Sequence, residues 1–227
     1  MLCHSLDWKI LSKHKDSLQQ IEALLYGQAG MLDKVFKDAY PIALQKEYRF
    51  LQSKYGLASI PHQAWKFMRM RPFNLPTVRL AQFAFFILKT EFLFSKILAS
   101  NSAKELRQIF SLHLDNYWKT HYVFDKESKP SRKSLGKSMI DLIIINGVVP
   151  LVFAYGISIG DEAYKEKALD ILEGIKSEKN RVTQFWSTLG MESNSAADSQ
   201  ALLQLKKHFC DQKRCLQCAV GNHVLKR

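Results

Sequence analysis

An all-α fold is what this sequence predicts, and three observations carry the prediction. Apolar residues recur at helical spacing through most of the 227 residues, and no series of strand-like alternation competes with them. Ser, Asp and Gly stand where helix starts and stops are needed. Neither an internal repeat nor a long Gly/Pro/Ser-rich stretch divides the chain. A single multi-helix domain over 1–227 is therefore expected, ending in a Cys-rich segment over 206–227. At 26.2 kDa the chain can bury a sizeable core without disulfides.

The elements follow in order. Asp16 is placed to cap a helix whose apolar positions are Leu18, Ile21, Leu24, Leu25 and Met31. Gly27, Ala29 and Gly30 lower its propensity but leave room for a close helix contact. A second pattern covers 34–55, with Pro41 near the start of its longer part and Gly56 as a stop. Pro61, Pro72 and Pro76 break 58–76 into loops, with room for a short helix at 65–70. Residues 77–98 are Phe-rich and read as one or two buried helices. Ser102 then caps a helix, and Glu105 completes a capping box. The aromatic run 117–124 fits a helix end and a short strand equally. Residues 127–137 are polar and basic and read as an exposed loop, the only candidate linker. Residues 142–159 carry no charge over 18 positions, the length at which a membrane span becomes an option. Asp141 at the edge and Asn146, Gly147 and Pro150 inside the run favour a buried central helix, so no membrane association is expected. Helical patterns at 161–174, 177–190 and 196–209 complete the chain.

Charge is the compositional anomaly. Lys and Arg number 33 against 21 Asp and Glu, a net +12. The surplus lies in 48–104 (nine basic, one acidic), 126–137 (five and one) and 199–227 (six and one), whereas 151–200 holds five basic and eight acidic residues. Clustered cations point to an acidic partner such as nucleic acid, because phosphate binding needs several presented together. Read alternatively, each cluster is a solvated helix face. No cationic stretch followed by a short apolar run opens the chain, and three of the four Cys crowd into nine residues. Together these features favour a reducing, cytoplasmic setting over a secreted disulfide framework.

Three constellations could carry chemistry. The first is Cys210, Cys215 and Cys218 within HFCDQKRCLQC. Two thiolates two residues apart can share a tetrahedral metal in a knuckle turn, with Cys210 as third ligand and His223, His208 or Cys3 as fourth. The spacing admits zinc or an iron–sulfur cluster; otherwise these are reduced cysteines packing a last turn. The second is Arg69, Arg71 and Arg79 around a Pro-Phe-Asn-Leu-Pro run, with Trp65 and Lys66 adjoining. Prolines stiffen such a loop, so guanidinium groups can be held at set distances for phosphate, and Trp65 could stack a base. The same arginines could instead pin a buried loop to helix C-termini. Lys213 and Arg214, inside the cysteine segment, are further candidate nucleic-acid contacts. The third is Tyr117, Trp118, His121 and Tyr122, suited to base stacking, to proton transfer, or simply to core packing.

Phosphate-binding Gly-rich loops, GxGxxG, HExxH and GxSxG are all missing from the sequence. Glu22 and Glu178 show no partner in sequence. An independent active site is not supported.

Several runs together resemble a known family: KHKDSLQQIEALLYGQAGML, KEYRFLQSKYGL, WKFMRMRPFNLPTVRLAQ, YWKTHYVF, EKN at 178–180, DSQALLQLKKHFC and CLQCAVG. They are similar to the C-terminal part of a bacterial domain-of-unknown-function family, number 2851. Longer members carry an N-terminal half that looks like a restriction-endonuclease-type nuclease core, with GPDF and VEIH runs that this sequence lacks. The resemblance implies that this chain is the helical C-terminal part, as a fragment or a truncated member. It places the family's cysteine motif on Cys210, Cys215 and Cys218 and its arginine loop on Arg69, Arg71 and Arg79. Nuclease carboxylates have no counterpart here. The resulting expectation is a nucleic-acid-binding accessory domain of a nuclease-like protein; the alternative is a structural or protein-interaction module with no nucleic acid partner.

Overall fold

The structure, a computed structural model, describes residues 2–69, 74–114 and 116–225. The all-α expectation holds: apart from one two-stranded hairpin, the regular structure of the described residues is helical. The chain forms two compact units, Met1–Leu93 with Phe110–Gly136, and Phe94–Ile109 with Lys137–Arg227.

The first unit comprises α1 (Leu2–Ser5), α2 (Trp8–Lys13), α3 (Leu18–Gln28), α4 (Ala39–Tyr55), α5 (Pro76–Lys89) and the hairpin β1 (His121–Val123) and β2 (Lys126–Glu127). Its centre is α3, buried at every position from Ile21 to Gln28. The cap is Ser17, one residue beyond the expected Asp16, and its hydroxyl accepts from the Gln20 N–H. Gly27 provides the close contact anticipated for the small residues: a Cβ there would stand 2.0 Å from the Tyr48 ring of α4. Gly56, at φ 61 in the left-handed region, ends α4 as expected. Pro76 opens α5 at a position where its missing N–H costs no helix bond. Leu24, Leu25, Leu44, Leu51, Leu80, Trp118 and Phe124 form the core between these elements. No helix forms at 65–69, where the chain has only a turn at 68–69 after a short 3-10 turn at His62–Ala64, and Met70 lies outside the described residues.

The ambiguous run 117–124 resolves into a 3-10 turn (Tyr117–Lys119) followed by β1. The basic loop after β2 is not wholly solvated. Lys133 is 0% exposed. Its ammonium donates to the Lys119 carbonyl at 2.9 Å and to the Ser131 hydroxyl at 3.1 Å, and lies 4.1 Å from the Tyr122 ring centroid. Gln82 of α5 donates to the Lys133 carbonyl at 2.9 Å. Burial lowers the Lys133 pKa below its ordinary value. The cation is retained because carbonyl, hydroxyl and ring face replace water.

The second unit contains α6 (Leu93–Ala99), α7 (Ala103–Ile109), α8 (Lys137–Ile143), α9 (Val149–Ile159), α10 (Glu162–Glu173), α11 (Arg181–Thr188), α12 (Ala196–Leu205) and α13 (Ala219–Leu225). Ser102 and Glu105 make the expected capping contacts: the Ser102 hydroxyl accepts from the Glu105 N–H at 3.3 Å, and Glu105 accepts from the Asn101 N–H at 2.9 Å. Pro150 does not break the apolar run. A π-turn at Ile144–Val148, with Val149 N–H donating to Ile144 O, joins α8 to α9 as one rod of 23 residues. Pro150 then falls in the first turn of α9, where a proline is tolerated. The rod is long and apolar enough to cross a membrane, with a mean hydropathy of 2.2 over its best window, of which 33% is buried. That corrects the expectation of a buried central helix. The buried residues Ile140, Ile144, Ile145, Val148, Val149 and Val152 fall on one stripe, leaving Leu151, Phe153, Ile157 and Ile159 in solvent. Gly156 permits α10 to approach α9, since a Cβ there would lie 2.9 Å from the Asp161 carbonyl.

Candidate functional site

In the first unit the loop after α4 carries the cations proposed for phosphate. Three bonds staple it to the end of α3: Ile60 N–H to Gln28 O at 2.8 Å, Gln28 Nε2 to Ala58 O at 2.5 Å, and Trp65 Nε1 to Ala29 O at 2.8 Å. Trp65 is half-buried and packs on the core, so its ring is an anchor rather than the free stacking platform considered from sequence. Lys66 and Arg69 are exposed, and Arg69 holds a left-handed backbone at φ 58. Such a conformation is uncommon for a residue with a Cβ. Arg79 has turned inward: its two η nitrogens donate to Gln82 Oε1 at 2.9 Å and Asn74 Oδ1 at 2.6 Å, and burial lowers its pKa. It therefore pins the loop at the N-terminal entry to α5, not at a helix C-terminus as the pinning alternative had it. Arg71 lies outside the described residues.

Among the described residues, ion pairs join Arg107 to Asp141, Lys165 to Glu162 and Lys206 to Asp211, and His121 Nε2 lies 3.5 Å from Asp38 Oδ2. None involves a cation of 48–104. Apart from Arg79, the described cations of that stretch are exposed and make no ion pair among the described residues.

A second arrangement in the same unit was invisible in sequence. Glu22, 1% exposed on α3, accepts from Tyr40 Oη of α4 and from Trp118 Nε1 at 2.9 Å. Burial drives its pKa from 4.5 up to about 7, against the lowering effect of those two donors. Tyr40 stacks on Tyr117 with ring centroids 4.6 Å apart, and Tyr117 stacks on His121 at 3.8 Å. Tyr117 Oη donates to Asp38 Oδ2 at 2.5 Å and accepts from the Asp125 N–H at 3.0 Å. Burial, and for Tyr40 the Glu22 charge, raise the pKa of both tyrosines. Asp125, at the hairpin tip with φ 60, accepts from the N–H groups of Lys37 and Asp38 and so ties the hairpin to the start of α4. The aromatic run singled out in sequence is thus one half of a buried carboxyl site, and Glu22, read as partnerless, is the other. The missed signal was a single carboxylate on an otherwise apolar helix face.

In the second unit, α12 passes into a π-turn at Lys206–Cys210, and a 3-10 turn follows at Cys215–Gln217. Cys210 and Cys215 are exposed free thiols and Cys218 is a buried one. Cys218 N–H donates to Cys215 O at 3.2 Å, which closes a tight turn between the two. Lys213, at φ 53, Arg214 and His223 are exposed. No three His, Cys, Asp or Glu side chains among the described residues gather as a metal set. The Cys3 side chain, a further candidate ligand, lies outside the described residues.

Fold and site together define a basic helical protein with a buried aromatic–carboxyl lock in one unit and a free-thiol turn in the other. The chain belongs to the protein-of-unknown-function family DUF2851, whose family model matches residues 1–181. The three-cysteine segment lies beyond the matched stretch. No curated protein and no solved structure matches the chain.

Proposed function

We propose that this chain is a nucleic-acid-binding accessory domain, acting in longer relatives beside a nuclease-like half. The observation that supports this reading is the unneutralised positive charge of 48–104, presented in part by Lys66 and Arg69 on a loop stapled at three points to α3. A cation held on a fixed loop loses little freedom when it meets a phosphate, and every phosphate contact releases counterions. Lys213 and Arg214, exposed in the second unit, offer a further contact. Arg79 contributes by shaping the loop rather than by touching the ligand.

Fluorescence anisotropy with labelled single- and double-stranded DNA and RNA tests the reading across a salt series. Binding should weaken steeply as salt rises. The double variant Lys66→Gln, Arg69→Gln should lower the slope of log K against log salt by about two, at roughly 0.9 per contact on B-DNA. Lys165→Gln, which removes a cation already paired with Glu162, should leave the slope unchanged. Absence of salt-sensitive binding by the unaltered chain would sink the proposal.

A further inference from the structure

The cysteine segment of the second unit puts two of its three thiols one turn apart. Cys215 opens the 3-10 turn Cys215–Gln217 and Cys218 closes it: Gln217 N–H donates to Arg214 O at 3.1 Å, and Cys218 N–H to Cys215 O at 3.2 Å. In such a turn, residues three apart lie one above the other, separated by about 6 Å at roughly 2 Å of rise per residue. That spacing falls within the window of about 4.4–6.8 Å between Cα atoms that a disulfide spans without moving backbone. Cys210 sits on the preceding π-turn, outside this register.

Three features make this pair a built site. The turn is held from both sides. Lys213 N–H donates to Cys210 O at 3.1 Å and Arg214 N–H to Phe209 O at 2.9 Å before it, and Asn222 N–H donates to Cys218 O at 2.8 Å after it. Gly221 lets α13 fold back onto the turn, since a Cβ there would stand 2.5 Å from the Cys215 carbonyl oxygen. The second feature is unequal access. Cys215 is exposed, whereas Cys218 is 7% exposed. One thiol is open to an incoming reagent, and the other is shielded from it yet one turn from the first. The third is charge. Lys213 and Arg214 immediately precede Cys215 and are exposed. Residues 206–218 hold four Lys and Arg against one acid, Asp211, which is itself paired with Lys206.

We infer that Cys215 and Cys218 form a redox-active dithiol that exchanges with a small disulfide bearing carboxylates. The Cys215 sulfur attacks one sulfur of that disulfide. The S–S bond breaks, one half leaves as a thiol, and the other half stays on Cys215 as a mixed disulfide. Cys218 then attacks the Cys215 sulfur, the mixed disulfide breaks, and the second half leaves as a thiol. The two protons given up by Cys215 and Cys218 end on the two departing thiols. The chain loses two electrons and the small disulfide gains them. Access assigns the first attack to Cys215, and burial beside it assigns the second to Cys218. Lys213 and Arg214 favour a negatively charged reagent. The nucleic-acid reading shares these two cations but does not need the thiols, so either proposal can fail without the other.

Glutathione disulfide, which is anionic, tests this on the reduced full chain in the absence of nucleic acid. In a glutathione buffer with the reduced form in excess, alkylation and mass spectrometry should find Cys215 joined to Cys218 and Cys210 free. At the same glutathione ratio, the native chain should favour this bridge at least tenfold over the chain unfolded in urea, a comparison that needs no variant. In glutathione disulfide alone, Cys218→Ala should keep a glutathione adduct on Cys215 where the unaltered chain carries the bridge. The double variant Lys213→Gln, Arg214→Gln should slow the reaction with glutathione disulfide by about three- to tenfold and should not slow that with cystamine, a cationic disulfide. A bridge no more favoured in the native chain than in urea, a lasting adduct on Cys215 of the unaltered chain, a bridge to Cys210 instead, or co-purifying zinc that shields both thiols from alkylation overturns the proposal.

Discussion

At the scale of single residues, Glu22 has the largest consequence. Its folded pKa of about 7 lies above the ordinary 4.5, so between those values the folded chain keeps a proton that the unfolded chain has released. The Glu22 contribution to stability is therefore full below pH 4.5 and is lost as pH rises towards 7, a change on the order of 3 kcal/mol. Glu22→Gln keeps the volume and an acceptor for Trp118 but cannot ionise. Urea unfolding should show the unaltered chain losing stability between pH about 5 and about 8, and the variant losing markedly less. Identical pH slopes in the two proteins would refute the assignment. The site was only half legible in sequence. The aromatic run stood out, but its link to Glu22 spans 96 residues from Trp118 and 18 from Tyr40, and no local pattern reports a contact of that separation. Arg79 shows the same limit from the other side: an arginine beside a proline-rich loop fits phosphate or a pinning bond equally until Gln82 and Asn74 are seen against it.

At the scale of elements, close packing rests on glycines where helices meet. Gly27→Ala would drive a methyl into the Tyr48 ring, which is 3% exposed and has no free volume to retreat into. Overpacking of this kind costs typically ~1–3 kcal/mol, and a ring met face-on belongs at or above the upper end. Gly56→Ala meets no atom within 4 Å and should cost only about 1 kcal/mol, from its left-handed backbone. Urea denaturation of the two variants should thus rank Gly27→Ala well below Gly56→Ala, and the reverse order would show that α3 and α4 do not meet at this glycine. Element starts and stops were largely readable, because caps such as Ser102 with Glu105 and stops such as Gly56 act within one turn. The joint between α8 and α9 was not. Pro150 signals a broken ladder, yet one π-turn absorbs it and leaves a single apolar rod with a solvent-facing side. Whether such a rod is buried is decided by its neighbours, and hydropathy does not name them.

At the scale of the whole molecule, the charge surplus is a property of distribution more than of total. The cations of 48–104 are unpaired among the described residues, whereas the acidic-rich 151–200 stretch supplies the Lys165–Glu162 pair. Nucleic acid binding, if carried by the first stretch, should therefore survive removal of cations in the second, which is the contrast that the salt series reads. Lys133 adds a different consequence. A protease that cuts after Lys and Arg finds many of the 33 such residues of this chain as nominal sites, but they do not all open at the same rate. Cleavage after exposed Lys66 needs little rearrangement. Cleavage after Lys133 needs its ammonium to leave Lys119, Ser131 and the Tyr122 ring, and its carbonyl to leave Gln82. Under brief digestion the fragment ending at Lys133 should lag far behind, and its rate of appearance becomes a clock for the transient opening of the segment that follows the hairpin.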